Sequence, residues 1–251
     1  LGLTLYKPAK VEEPIDWDKL WNDPSIFGPT VLTGEQLDAY VKRQNPNAPE
    51  LGEYYVKWGK YYGIRGDVVF GQSIHETGWF KFGGDVVPEQ NNYAGIGTTG
   101  GGVKGAYFDT PEEGVLAQIQ HLWAYGVPRH EGDPWPVQKY PYQSDSFQKV
   151  DPRYHLVTRP QTREAWLYLN GRWAVPGSTY AQTDPLPSYP ELVDPRFHLV
   201  KRGSAPTWPD MDGKWAVPGV GYGQRVLTHW KNMVRFYNLY DPAAARRAKQ
   251  N

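Results

Sequence analysis

One carboxylate is set apart by its surroundings. In the segment Gly-Gln-Ser-Ile-His-Glu-Thr-Gly-Trp at 71–79, Glu76 closes an apolar helical run, and Trp79 and Phe80 follow it just ahead of a glycine-rich stretch. Burial among such rings disfavours the charged form and raises a carboxyl pKa, so Glu76 could hold a proton near neutral pH, as an acid at a glycosidic leaving oxygen must. The spacing alone fits a plainer role equally well, with Glu76 pairing with Lys81 or capping the loop. Glycosidic chemistry commonly uses a second carboxylate. The candidates are Asp85 and Glu89 in the loop that follows, and Glu113, whose place three residues after Thr110 also makes it a helix-capping residue. His75-Glu76 could open a zinc-protease His-Glu-x-x-His helix, but Trp79 occupies the place of the second histidine. His155 and His198 recur in the same local motif and are assigned matching structural hydrogen bonds. The chain shows no phosphate loop, nucleophile elbow or nucleotide fingerprint, so no metal and no cofactor are expected.

The elements that must position Glu76 are predicted to be mainly α-helical. Thr33 with Gln36 three residues on forms a helix start, and Leu37, Tyr40 and Val41 carry the apolar stripe up to the break at Asn45-Pro46. A second helix places Leu51, Tyr54, Tyr55 and Trp58 on one face and ends at Gly63. The third runs from Gly66 to Gly78, with Asp67 at its positive end and Glu76 in its last turn. Thr110-Pro111-Glu112-Glu113 opens a fourth, with Val115, Leu116, Ile119, Leu122 and Trp123 facing inward. A last helix begins near Tyr222 and carries Val226, Trp230, Met233, Val234 and Tyr237.

Between these last two helices the composition turns to Pro, Gly and aromatic residues and contains a duplication. Val-Asp-Pro-Arg-Tyr-His-Leu-Val at 150–157 recurs as Val-Asp-Pro-Arg-Phe-His-Leu-Val at 193–200. Asn-Gly-Arg-Trp-Ala-Val-Pro-Gly at 170–177 recurs as Asp-Gly-Lys-Trp-Ala-Val-Pro-Gly at 212–219. Two copies are too few for a solenoid, which needs about three, so both are expected to pack on the helices. The predicted organisation is an extended arm over 1–32, a catalytic helical domain over 33–126, an insert over 127–219 with repeats at 150–177 and 193–219, and a final helix with a solvated or frayed basic tail over 220–251. Exposed Trp173 and Trp215 would make the repeats a glycan-binding surface, and buried ones would make them packing units.

Composition narrows the function further. Lys plus Arg and Asp plus Glu both number 27, which gives no reason to expect a nucleic-acid partner or an anionic membrane surface. No apolar run approaches the roughly 18 residues of a membrane span. Cysteine is absent, which removes disulfides and thiolate chemistry. The chain holds 11 Trp and 18 Tyr against 8 Phe. Such rings, with a flat apolar face and a polar edge, suit sugars as well as ordinary packing. The first residue is Leu1, as in a processed or trimmed chain whose signal segment is not shown.

Glu-Thr-Gly-Trp at 76–79, Asn-Asn-Tyr-Ala-Gly-Ile at 91–96, the Thr-Pro-Glu-Glu helix start and the Tyr-containing element at 222 together resemble the glucosaminidase family of peptidoglycan hydrolases, glycoside hydrolase family 73. The resemblance covers about residues 35–125 and 215–240. It implies a lysozyme-like helical fold and endo-β-N-acetylglucosaminidase activity on the β-1,4 bonds of peptidoglycan glycan strands, in a secreted or wall-associated, monomeric protein. Glu76 becomes the acid, with Tyr222 as the positioning tyrosine of a substrate-assisted route. Gln72, His75, Trp79, Asn91, Asn92, Tyr93 and Trp215 become candidate sugar contacts. The segment 98–105 lacks the carboxylate that the family often supplies there. A muramidase or lytic transglycosylase, or a non-catalytic peptidoglycan-binding module, are the alternatives.

Overall fold

Local signals close each helix as their chemistry requires. Thr33 and Gln36 form a reciprocal capping box, with Oγ1 of Thr33 accepting the Gln36 N–H at 3.2 Å and Oε1 of Gln36 accepting the Thr33 N–H at 2.9 Å. This starts α2, Gly34–Lys42. Helix α3, Gly52–Tyr62, and helix α4, Gly66–Thr77, end on Gly63 and Gly78, both left-handed (φ 68° and 57°). Thr110 caps α5, Pro111–Gly126, by accepting the Glu113 N–H at 3.1 Å. Helix α6 is Tyr222–Phe236. The computed structural model describes residues 14–128 and 193–250 apart from the His198 side chain, together with the backbone of three strands. Those strands, β1 Tyr154–Thr158, β2 Arg163–Leu169 and β3 Arg172–Ala174, form an antiparallel sheet in that order.

The fold is mainly helical, as predicted and in keeping with a lysozyme-like helical domain. Helices α3, α4, α5 and α6 bury one shared core that includes Tyr55, Phe70, Val115, Ile119, Val226 and Trp230. Two expectations at the chain ends need correction. Order begins before Thr33, because Asp16 caps a short helix α1, Trp17–Asn22. Its Trp21 packs on Trp230 and Tyr240 with centroids 6.0 and 5.4 Å away, which buries Leu20 and Trp21. The basic tail is solvated, as expected, but it is not frayed: it forms a helix, α7, Pro242–Ala248, capped by Asp241 and without a buried residue. Lys249, just beyond it, pairs with Asp18, which also accepts from the Tyr240 hydroxyl. The two ends of the described chain are thereby clasped together.

The second repeat copy packs on α5. Gln120 Oε1 accepts the Val193 and Asp194 N–H groups at 2.9 and 3.2 Å, and Phe197 stacks on Trp123 at 6.1 Å. The copies do not share a backbone. Residues 154–158 are a strand, whereas Phe197–Leu199 is a 3-10 turn. The expected hydrogen bonds of His155 and His198 and the exposure of Trp173 lie outside the described residues.

Gly114 sits where α5 meets the loop ahead of it, and a Cβ there would fall 1.7 Å from the Asn91 carbonyl oxygen. In an ordinary helix interior Gly→Ala stabilises by about 1 kcal/mol. Here Gly114→Ala is expected to destabilise by roughly 3 kcal/mol through overpacking, measured by urea unfolding, and a stabilised variant would refute this close approach.

Candidate active site

Glu76 occupies the last turn of α4, and the segment before α6 brings a tyrosine to it. Asp212 accepts the Gly221 N–H at 2.6 Å and the Gly223 N–H at 2.9 Å, one on each carboxylate oxygen. Gly223 allows this approach, since a Cβ there would lie 2.0 Å from the Trp208 carbonyl oxygen. Tyr222, thus anchored and only 2% exposed, donates its hydroxyl to Glu76 Oε1.

Behind the tyrosine runs a buried polar chain. Gln72 Nε2 donates to the Tyr222 hydroxyl at 2.8 Å, and Gln118 Nε2 donates to Gln72 Oε1 at 2.9 Å. Gln118 Oε1 accepts from Tyr55 at 2.9 Å. Every link donates towards Glu76. The Tyr222 proton therefore points at the carboxyl, and Oε1 serves as an acceptor. The other oxygen, Oε2, faces Gly95, where a Cβ would sit 4.0 Å away.

The loop after α4 forms the opposite wall. Asn92 closes it on itself, its Nδ2 donating to the carbonyls of Ile96 at 2.9 Å and Ala106 at 3.2 Å while its Oδ1 accepts the Ile96 N–H at 3.0 Å. Gln90, which the sequence reading missed, donates to the Lys104 and Ala106 carbonyls at 2.6 and 3.2 Å. A cavity of about 260 Å³ results, lined by Glu76, Thr77, Phe82, Asp85, Asn92 and Thr98 among others.

Of the candidate second carboxylates, only Asp85 reaches this cavity. Glu89 lies exposed on a 3-10 turn, Pro88–Gln90. Glu113 is occupied at the start of α5, its Oε2 accepting the Asp109 N–H at 2.9 Å. The expected sugar contacts fall in different places, some in the cavity wall and some behind it. Gln72 is fully buried in the polar chain, and Asn92, though it reaches the wall, has its carboxamide filled by backbone partners. Asn91 donates to the Phe108 carbonyl at 2.9 Å, and Tyr93 packs against Phe80 in the core. Trp79 has a positive φ of 64° and turns onto Tyr40 and His229 at 5.7 and 5.9 Å. His75 lies beside Tyr222 and His229 rather than in the cavity wall. Tyr222, the candidate positioning tyrosine, is buried with its hydroxyl on the acid. Trp215 is half-buried, its indole donating to the Ala94 carbonyl at 3.2 Å.

Electrostatics follow from this packing. Burial pushes the Glu76 carboxyl up to about 7, against the opposing pull of the Tyr222 hydrogen bond and, more weakly, of the nearby Trp215 N–H, which favour the carboxylate. Burial, together with the negative charge of Glu76, holds the Tyr222 hydroxyl well above its ordinary value and keeps it a donor. Burial and then Arg225 lower the His75 pKa. Among the described residues no three His, Asp or Glu side chains group as metal ligands, and no helix is long and apolar enough to cross a membrane.

An acid of this kind stands on a helix end over a small cleft, and sequence comparison gives the chain a family. Residues 52–191 match the glucosaminidase family, described as mannosyl-glycoprotein endo-beta-N-acetylglucosaminidase, and the chain belongs to that family. The matched span contains Glu76 and the Asn92 loop but stops short of Tyr222 and Trp215. An uncharacterized protein of Borreliella burgdorferi is 35% identical over 147 residues, covering 55% of this chain and 65% of that protein, so the chain spans less than two thirds of this relative's length. No solved structure matches.

Two outcomes are expected. Tyr222→Phe removes a donor that favours the carboxylate, so the Glu76 titration, followed by 13C NMR on glutamate-labelled protein and assigned with Glu76→Gln, moves to higher pH; an unchanged titration would remove Tyr222 from the account. Because the folded pKa of Glu76 exceeds its ordinary value of 4.5, the folded chain binds the proton more tightly than the unfolded one, and stability falls as pH rises from about 4.5 to about 7. Glu76→Gln should therefore melt at a higher temperature than wild type at pH 8 and at the same temperature at pH 4.

Proposed function

We propose that the protein is an endo-β-N-acetylglucosaminidase that cleaves β-1,4 bonds in the glycan strands of peptidoglycan, outside the cell or in the wall. The observation that carries this reading is Glu76 itself: a carboxyl with a pKa of about 7, one oxygen tied to Tyr222 and the other turned to the cleft. Family membership supports the substrate class.

In this reading Glu76 gives its proton to the leaving glycosidic oxygen from the cleft side, while Oε1 stays bonded to Tyr222. The C–O bond breaks as that O–H bond forms, and positive charge develops at the anomeric carbon. Asp85, which lines the same cavity, serves as the second carboxylate in this reading, offsetting that charge or activating water. Tyr222 holds the acid's orientation. Proton donation needs the protonated form, so kcat/KM should fall as pH rises through about 7.

The test is digestion of purified peptidoglycan followed by mass spectrometry of the fragments. Wild type is expected to release fragments with reducing-end N-acetylglucosamine, Glu76→Gln to lose at least about 10²-fold in rate, and Asp85→Asn to lose at least about 10-fold. Muramic-acid ends would move the cut to the other bond and make the protein a muramidase or, with anhydro ends, a lytic transglycosylase. Binding without release by wild type would make it a wall-binding module.

A further inference from the structure

The duplicated segment plays no part in the proposed chemistry, yet its second copy holds the loop and the helix start that flank the acid. Three of its residues converge there by different routes. Asp212 fixes the start of α6 through the Gly221 and Gly223 N–H groups and so sets Tyr222. Trp215 lays its indole N–H on the Ala94 carbonyl, next to the Gly95 that Glu76 Oε2 faces. Asp194, 1% exposed, bonds His121 Nδ1 at 2.7 Å, and the His121 ring meets the Trp215 ring edge-on at 5.0 Å. Asp194 is itself held, its N–H on Gln120 and its Oδ1 on the Arg196 N–H at 2.9 Å.

We propose that the second repeat copy is a brace for the acid, in which Trp215 is a positioning residue that presents its indole N–H at the Ala94–Glu76 junction and is itself held in place by the buried Asp194–His121 pair. The proposal rests on Glu76 being the acid of the reading above. Its physical content is rigidity and polarity. A half-buried indole on a loop has freedom about two side-chain torsions, and an edge-on contact with a histidine locked by a buried carboxylate removes it. The N–H then stays on the Ala94 carbonyl, next to the Gly95 that Glu76 Oε2 faces, and from there its pull on Glu76 opposes that of burial. A brace from outside α4 also explains why Glu76 is not left to the last, readily frayed turn of its helix.

The decisive variant is Trp215→Phe, which keeps a smaller ring against His121 and removes the donor. With Glu76 followed by 13C NMR, Trp215→Phe is expected to titrate at higher pH than wild type, and Asp194→Ala to shift in the same direction by less. On peptidoglycan both should lower kcat, Trp215→Phe by about 10-fold, with KM unchanged, and move the alkaline limb of the profile upward. Leu199→Ala, exposed on the same copy, should change none of these. If Glu76 titrates in Trp215→Phe as it does in wild type while Tyr222→Phe shifts it, the brace is overturned. Should Asp194→Ala fail to fold, the conservative Trp215→Phe still decides. If wild type releases no fragments but the titration shifts appear, the brace stands and the enzymatic reading falls.

Discussion

Burial lets the Glu76 carboxyl hold its proton near pH 7, but a buried group that is also free to rotate presents that proton in no fixed direction. The hydrogen bond from Tyr222 to Glu76 resolves this, and much of the core is arranged to give that bond its direction. A phenol can donate or accept. What makes Tyr222 donate is Gln72, whose amide nitrogen already fills the acceptor side of the hydroxyl, and what turns the Gln72 amide is the donor from Gln118. The chain begins with Tyr55 on α3, passes through α5 and α4, and ends at the first residue of α6. Four helices thus decide which oxygen of Glu76 carries the proton.

That arrangement also needs α4 and α6 to hold their register over their length. A second bond lies at the far end of the pair, where Trp230 donates its indole N–H to Asp67 at 3.0 Å. Asp67 is fully buried and also accepts the Val31 and Val68 N–H groups at 2.9 and 3.0 Å, so it is fixed from two directions. Asp67 and Glu76 stand near opposite ends of α4, roughly 13 Å apart at the helical rise, and Trp230 and Tyr222 match them on α6. Between them Gly71 permits the close approach, since a Cβ there would lie 3.2 Å from that of His229. A sliding motion of one helix on the other would break both bonds together.

The helices that carry the site were legible in the sequence because their signals are local. Thr33 with Gln36, Thr110 with Pro111, and the glycines at 63 and 78 each act within a few residues. Helix α1 escaped notice since its burial depends on Tyr240 and Trp230, far along the chain. The sequence identified Glu76 and Tyr222 as residues of interest, but not the hydrogen bond that joins them across 146 positions. It did not separate Gln72 and Asn91, which lie behind the cleft, from Asn92, which lines it, because a polar side chain that shapes a cleft from behind has the same local sequence as one that faces into it. Only partners distinguish them, and here the partners are backbone carbonyls and other buried amides. The His121–Asp194 pair spans 73 positions, and no periodicity or cap connects its members.

The duplication contains a clue that becomes readable only with the fold in hand. Its two copies differ at the residue before the Gly-Arg/Lys-Trp segment, Asn170 in the first and Asp212 in the second. Both oxygens of Asp212 accept a backbone N–H, one from Gly221 and one from Gly223. An asparagine has a single acceptor oxygen, and its NH2 would be turned against one of those two donors, leaving an N–H unpaired at the helix start. A segment with the side chain of the first copy could not seat α6 in this way. The carboxylate at 212 is therefore what makes the second copy, with its Trp215, the one fitted to the start of α6 and hence to the orientation of Tyr222 and Glu76.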